Sequence, residues 1–139
     1  MRAAILVDTG AIYALADLDD TWHEPVRAFL EGNAHSLIVP VTVLPGVCYL
    51  INAFLGQQAK RRFVAALANG ELTIEPLLFS DLPRCVRLLE IYEDANLGFV
   101  DASLVAVAER LNIQQILTTD RRDFSLVRPE HCPAFELLP

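Results

Sequence analysis

Glycine-rich phosphate loops, paired cysteines and long apolar runs are all missing from this 139-residue chain. Its 6 glycines form neither the Gly-x-Gly-x-x-Gly nor the Walker-A pattern, which removes the nucleotide enzymes that cradle phosphate on closely spaced backbone amides. Cys48, Cys85 and Cys132 are odd in number and far apart, so neither a disulfide framework nor a zinc knuckle is expected, and a reducing cytoplasm fits. His23, His35 and His131 lack metal-ligand spacing. No Ser or Cys motif beside them suggests a nucleophilic triad, and surface or capping roles are expected for all three. No apolar stretch reaches the roughly 20 residues of a spanning helix. The run that follows Arg2 is too short for the apolar region of a signal peptide and reads as a first strand. Positive charge is also scarce. With 11 Lys and Arg against 18 Asp and Glu, the net charge is -7, which opposes unaided binding to nucleic acid because phosphate contacts rely on cationic side chains displacing counterions.

What is present is apolar material, 53% of the chain. At this length it suits one domain spanning 1–139, since a domain of about 150 residues buries roughly 68–70% of its unfolded surface. Strand-like and helix-like segments alternate, which predicts a layered α/β domain with a mainly parallel central sheet. Strands are expected at 2–7, 37–39, 72–76 and 115–119, with a further edge strand at 134–138. Helices are expected at 10–17 after a Thr9 cap, at 23–31 stopped by Gly32 and Asn33, and from a Thr42 cap to 55 with Pro45 in the first turn. Further helices are expected at 57–68, at 82–92 capped by Asp81, and at 101–111.

Three apolar runs each deliver an aspartate: Asp8 after Ile5-Leu6-Val7, Asp101 after Phe99-Val100, and Asp120 after Gln115-Ile116-Leu117-Thr118-Thr119. Carboxylates at strand ends and helix starts can converge from distant parts of a chain, and oxygen-only clusters suit Mg2+ or Mn2+. The alternative is that each aspartate only caps a helix or opens a turn. Charge is uneven along the chain. Lys60-Arg61-Arg62 forms a basic block, Arg84 and Arg87 form a helical i, i+3 pair, and Arg121-Arg122 directly follows Asp120. Such blocks either hold a phosphate backbone beside bound cations or form solvated faces. Ile12, Leu15, Leu50, Ile51 and Phe54 are either core or apolar helix faces left for a partner.

Four phrases, Ile5-Leu6-Val7-Asp8-Thr9-Gly10-Ala11, Val47-Cys48-Tyr49-Leu50, Leu97-Gly98-Phe99-Val100-Asp101-Ala102-Ser103-Leu104 and Leu117-Thr118-Thr119-Asp120-Arg121-Arg122-Asp123-Phe124, together resemble the PIN domain. Within it, the chain is similar to the VapC-type ribonucleases of bacterial toxin-antitoxin pairs over nearly its whole length. The resemblance implies a three-layer α/β/α domain, a Mg2+- or Mn2+-dependent endoribonuclease that hydrolyses RNA phosphodiesters, frequent homodimerisation and inhibition by an antitoxin. Under it, Asp8, Asp101 and Asp120 match the acidic metal ligands. Asp94 matches a further acid of relatives, and Asp123 is an accessory candidate. Thr9 and Thr119 match hydroxyl-bearing positions, while Arg61, Arg62 and Arg121 are candidate RNA-backbone contacts. The chain departs from the family at Gly46, where relatives carry a glutamate. That departure leaves a second expectation open, a catalytically impaired domain that binds RNA or an antitoxin. Asp8-Thr9-Gly10 also looks like the signature of dimeric aspartic proteases, but those are all-β, whereas helical apolar spacing follows here at Ile12, Leu15 and Ala16.

Overall fold

Strand β1 (Ala3–Val7) buries Ile5, Leu6 and Val7 in succession, a pattern that suits a strand covered by helices on both faces. The computed structural model describes residues 3–32 and 35–139, with only the main chain of His35. Arg2, Asn33 and the His35 side chain, which figured in the expectations above, lie outside the described residues. β1 pairs on one side with β2 (His35–Pro40), which pairs with β3 (Thr73–Glu75). On its other side β1 pairs with β4 (Gln115–Leu117), which pairs with β5 (Glu136–Leu138). The order is β3-β2-β1-β4-β5 and every pairing is parallel.

That order reverses direction once. The chain steps outward from β1 to β3, then returns past β1 to β4 and β5. Right-handed crossovers therefore put the outgoing and returning helices on opposite faces, giving three layers. α1 (Thr9–Ala16) and α2 (His23–Gly32) join β1 to β2, and α3 (Leu44–Leu55) and α4 (Gln57–Ala68) join β2 to β3. The return path runs through α5 (Leu82–Ile91) and α6 (Phe99–Leu111), and the short α7 (Arg122–Leu126) follows β4. α1 packs against α2 and α3, α3 against α4, and α5 against α6. α6 buries every residue from Ala102 to Ala108, as a helix apolar on all sides does when it lies in the core. Among the described residues, no helix is long and apolar enough to cross a membrane.

Three caps differ from the expected ones. Asp8, not Thr9, is the N-cap of α1, and its side chain accepts the Thr9 N–H. Thr42 sits inside a 3-10 turn, Val41–Val43, that precedes α3, and its hydroxyl bonds Ser103 on α6 instead of a helix amide. Asp81 does not cap α5. Its buried carboxylate accepts from the Leu78 N–H and from Arg110 Nε, both at 2.9 Å, because a buried charge gains more from a cation than from another amide. The other expected elements fall within a residue or two of their limits, whereas α7 has no counterpart among the expected helices.

Gly10 marks the tightest approach in the frame of the site. A Cβ there would collide with the Thr119 hydroxyl and stand 3.4 Å from the Thr119 Cβ. Gly10→Ala is expected to cost about 1–3 kcal/mol through this overpacking. Adding Thr119→Ala should recover most of the loss, since it removes the colliding atom. Urea unfolding of the two single variants and the double variant checks this, and additive losses would contradict it.

Candidate acidic site

The register Val7↔Leu117 sets the ends of β1 and β4 level. Asp8 and Thr118 therefore emerge side by side at the carboxyl edge, beside the reversal in strand order where ligands of open α/β sheets bind. Asp8 is 6% exposed. Its Oδ1 accepts the Thr9 N–H at 2.7 Å and its Oδ2 accepts the Thr118 hydroxyl at 2.9 Å. Thr118 Oγ1 also accepts the Asp120 N–H at 3.1 Å, which fixes the turn that carries Asp120. Asp120 Oδ1 in turn accepts the Arg122 N–H at 3.3 Å.

Asp101 enters from the first turn of α6. Ser103, fully buried two residues further on, steadies that helix start: it donates to the Val100 carbonyl at 2.6 Å and accepts from Thr42 Oγ1 at 2.7 Å. The α6 start is thereby tied to the 3-10 turn leading into α3, the helix that holds Gly46. A Cβ at Gly46 would stand 3.5 Å from Thr9 Cγ2 and 4.0 Å from Thr9 Oγ1. Position 46 thus faces the residue after Asp8, and there is room for a side chain.

The acids sense one another. The Asp101 carboxyl is pushed up to about 7, first by burial, then by a hydrogen bond with Asp123 and by the charges of Asp8, Asp123 and Asp120. Asp8 is also raised, mainly by burial and further by Asp120, against the opposing pull of the Thr9 amide and the Thr118 hydroxyl. Four aspartates, 8, 101, 120 and 123, therefore share one electrostatic environment. Asp94 does not belong to it: it is exposed in the turn after α5 and is not among the charges that shift Asp101. Thr9 and Thr119 part company here. The Thr9 hydroxyl helps to bind Asp8, whereas Thr119 packs over Gly10, and the hydroxyl that joins Asp8 to Asp120 is that of Thr118. Thr118 carries no signal of its own in the sequence, because two adjacent threonines leave open which one faces inward until the end of β4 is known.

Among the described residues, no three of these acids stand close enough for a ready-made metal shell. Their chemistry nonetheless fits a hard divalent cation. All the donors are oxygens, and the mutual repulsion that helps to raise the Asp101 carboxyl is what a bound cation would relieve. One consequence concerns pH. Unfolded Asp101 ionises near 3.8 and folded Asp101 near 7, so between those values the native state holds a proton that the unfolded chain has lost, and stability falls as pH rises. In EDTA the melting temperature should drop by a few degrees from pH 5.5 to pH 7.5, and the drop should flatten in Asp101→Asn. A profile unchanged by that substitution would contradict the assignment.

The basic candidates divide. Arg61 and Arg62 lie on exposed turns of α4. Arg62 lines an apolar groove with Ala16, the last residue of α1, far along that helix from its Asp8 cap. Arg121 stands next to Asp120 with its guanidinium 5.7 Å from the centre of the Trp22 ring. Among the described residues, Lys60, Arg61, Arg62, Arg121, Arg122 and Arg128 pair with no aspartate or glutamate side chain, whereas Arg27, Arg84, Arg87 and Arg110 all do. Arg84 is bound to Glu109 at 2.7 Å and Arg87 to Glu90 at 3.6 Å, which makes that pair structural. His23 and His131 bond the carbonyls of Ala14 and Ile113, each at 2.7 Å.

The family profile described as PIN domain matches residues 5–128. A Mycobacterium tuberculosis protein named Ribonuclease VapC26 is 29% identical over 135 residues, covering 97% of this chain and 100% of that protein. Among solved structures, VapC20 of M. tuberculosis, described as a toxin that cleaves the sarcin-ricin loop, superposes with a TM-score of 0.73 at 21% identity, covering 81% of this chain and 86% of that one. VapBC2 of Rickettsia felis, bound to a promoter DNA fragment, gives 0.70 at 14% identity, with 98% and 99% covered.

Proposed function

The chain belongs to the PIN-domain family, and from that membership we propose that it is a Mg2+- or Mn2+-dependent endoribonuclease acting as the toxin of a toxin-antitoxin pair. The observation that carries the reading is the electrostatic coupling of Asp8, Asp101, Asp120 and Asp123 at the carboxyl edge of the sheet. Asp8, Asp101 and Asp120 would hold the cation, with Asp123 as an accessory acid. A bound divalent ion supplies charge neutralisation at the phosphoryl oxygens and lowers the pKa of the water that attacks phosphorus.

The protein's own groups prepare that site. The Thr9 amide and the Thr118 hydroxyl orient both oxygens of Asp8. The Thr118 to Asp120 N–H bond keeps the second acid at the rim, and the Ser103–Thr42 tie holds the helix start that brings in Asp101. Hydrolysis adds the oxygen of water to phosphorus, breaks one P–O ester bond and passes a proton to the departing ribose oxygen. Arg121 would contact the RNA backbone beside the acids. Arg61 and Arg62 would do so only with RNA long enough to follow α1 to its far end.

The name of the 29%-identical relative supports the activity. Structural neighbours that are toxin-antitoxin complexes from Klebsiella pneumoniae and R. felis support an antitoxin as partner, and a homodimer is the assembly expected from the family resemblance alone. Gly46 favours a second reading, a domain that binds RNA or an antitoxin without turnover. Incubating an RNA panel with Mg2+, Mn2+ or EDTA separates the two. Cleavage that depends on the ion supports the nuclease. RNA bound but intact in either metal supports the binding domain.

A further inference from the structure

We propose that Trp22 is a positioning residue whose indole holds Arg121 off the acidic cluster, so that the guanidinium seats an RNA phosphate adjacent to the one cleaved. The inference rests on the nuclease reading above and names a substrate contact within it. Arg121 follows Asp120 directly, yet among the described residues it pairs with no aspartate or glutamate side chain. An arginine on a free tether in that position would fold onto the carboxylates and compete with a cation for them. Two contacts prevent this. Its Cζ sits 5.7 Å from the Trp22 ring centre, within the range of a cation–π attraction. Its Nη2 donates to the main-chain oxygen of Pro139, the last residue of the sequence, at 2.7 Å.

The platform is itself anchored. Trp22 is partly buried against the core, and its main-chain N–H donates to Asp20 Oδ1 at 2.8 Å. The Asp20 carbonyl accepts the His23 N–H at 3.0 Å, which closes the turn into α2. Arg121 remains exposed with the rest of its donor fork free, and a planar fork held in place matches phosphate geometry without further ordering. Phosphate is also the ligand that a fixed cation beside a phosphodiester-cleaving centre would meet.

The test measures KM and kcat for a single-stranded RNA in Mn2+ across a salt series, with Kd replacing KM if the RNA is bound but not cut. Arg121→Ala should weaken binding and lessen the slope of log affinity against log salt by about 0.7, the value for one single-strand phosphate. Trp22→Leu keeps apolar bulk but loses the aromatic face. It should raise KM or Kd about two- to fivefold, the ratio equivalent to an exposed cation–π contact, while kcat and the salt slope stay at wild-type values. Trp22→Phe should restore binding. Wild-type affinity in Trp22→Leu overturns the proposal alone, as does an equal defect in Trp22→Phe and Trp22→Leu, which marks a packing role. An unchanged slope in Arg121→Ala also overturns it. Wild-type protein that neither binds nor cuts RNA removes the nuclease reading and this proposal together.

Discussion

Asp8→Asn is expected to lower RNA cleavage at least about a hundredfold, the scale on which a preorganised electrostatic group matters to the transition state, without destabilising the fold. The two effects separate because the native structure works against the charge of Asp8: burial and Asp120 both raise its pKa. An asparagine of the same shape keeps every hydrogen bond. Its oxygen accepts the Thr9 N–H, and its amide donates to Thr118 Oγ1, which then turns its own proton to the Asp120 carbonyl 3.0 Å away. At pH 7.5 in EDTA the variant should melt at or above the wild-type temperature. Divalent ions should raise the melting temperature of the wild type and leave that of the variant nearly unmoved, because a ligand that binds only the native state stabilises it by mass action. Equal cleavage by both proteins would remove Asp8 from the chemistry.

Gly46→Glu should increase Mn2+ affinity about tenfold or more, since affinity for hard cations follows the number of charged oxygen ligands. The backbone is ready for the change. Position 46 lies in the first turn of α3, is exposed, and directs a Cβ to ordinary contact distance from Thr9. A glutamate there also interacts favourably with the helix N-terminus. Gly46→Ala is the control. It should gain roughly 0.5–1 kcal/mol of stability from helix propensity with no gain in metal binding. Calorimetry with Mn2+ distinguishes the two variants, and a gain in the alanine variant, or none in the glutamate variant, would show that position 46 does not reach the ion. If cleavage rises in parallel with affinity, the native glycine restrains activity and leaves the site otherwise whole.

Much of this geometry was legible in the residues. Apolar runs ending in aspartate located the carboxyl ends of β1 and β4, and the placement of α6 followed from its apolar length. Contacts between elements were less legible. Asp81 reads as a helix cap because a leucine and a proline follow it, but its partner Arg110 comes from another helix. Thr118 and Thr119 are equivalent in sequence. Only the end of β4 at Leu117 and its register with Val7 decide which hydroxyl reaches Asp8. Trp22 carried no local signal, because its significance lies in an arginine supplied from the other side of the sheet's reversal. The empty place at Gly46 was visible as a missing acid, while its orientation toward Thr9 belongs to the fold alone.

The seam between β1 and β4 sets a timetable for synthesis. Asp8 is made 110 residues before Thr118, the threonine that orients it, and the acids that complete its surroundings lie later still, at 120 and 123. Pairings between such distant segments form late, because loop closure must precede them. At about 5–20 residues per second, a nascent chain spends seconds with its first strand made and its pocket unbuilt. However early the first strand forms, the acidic pocket stays open until positions 118 to 123 have been made.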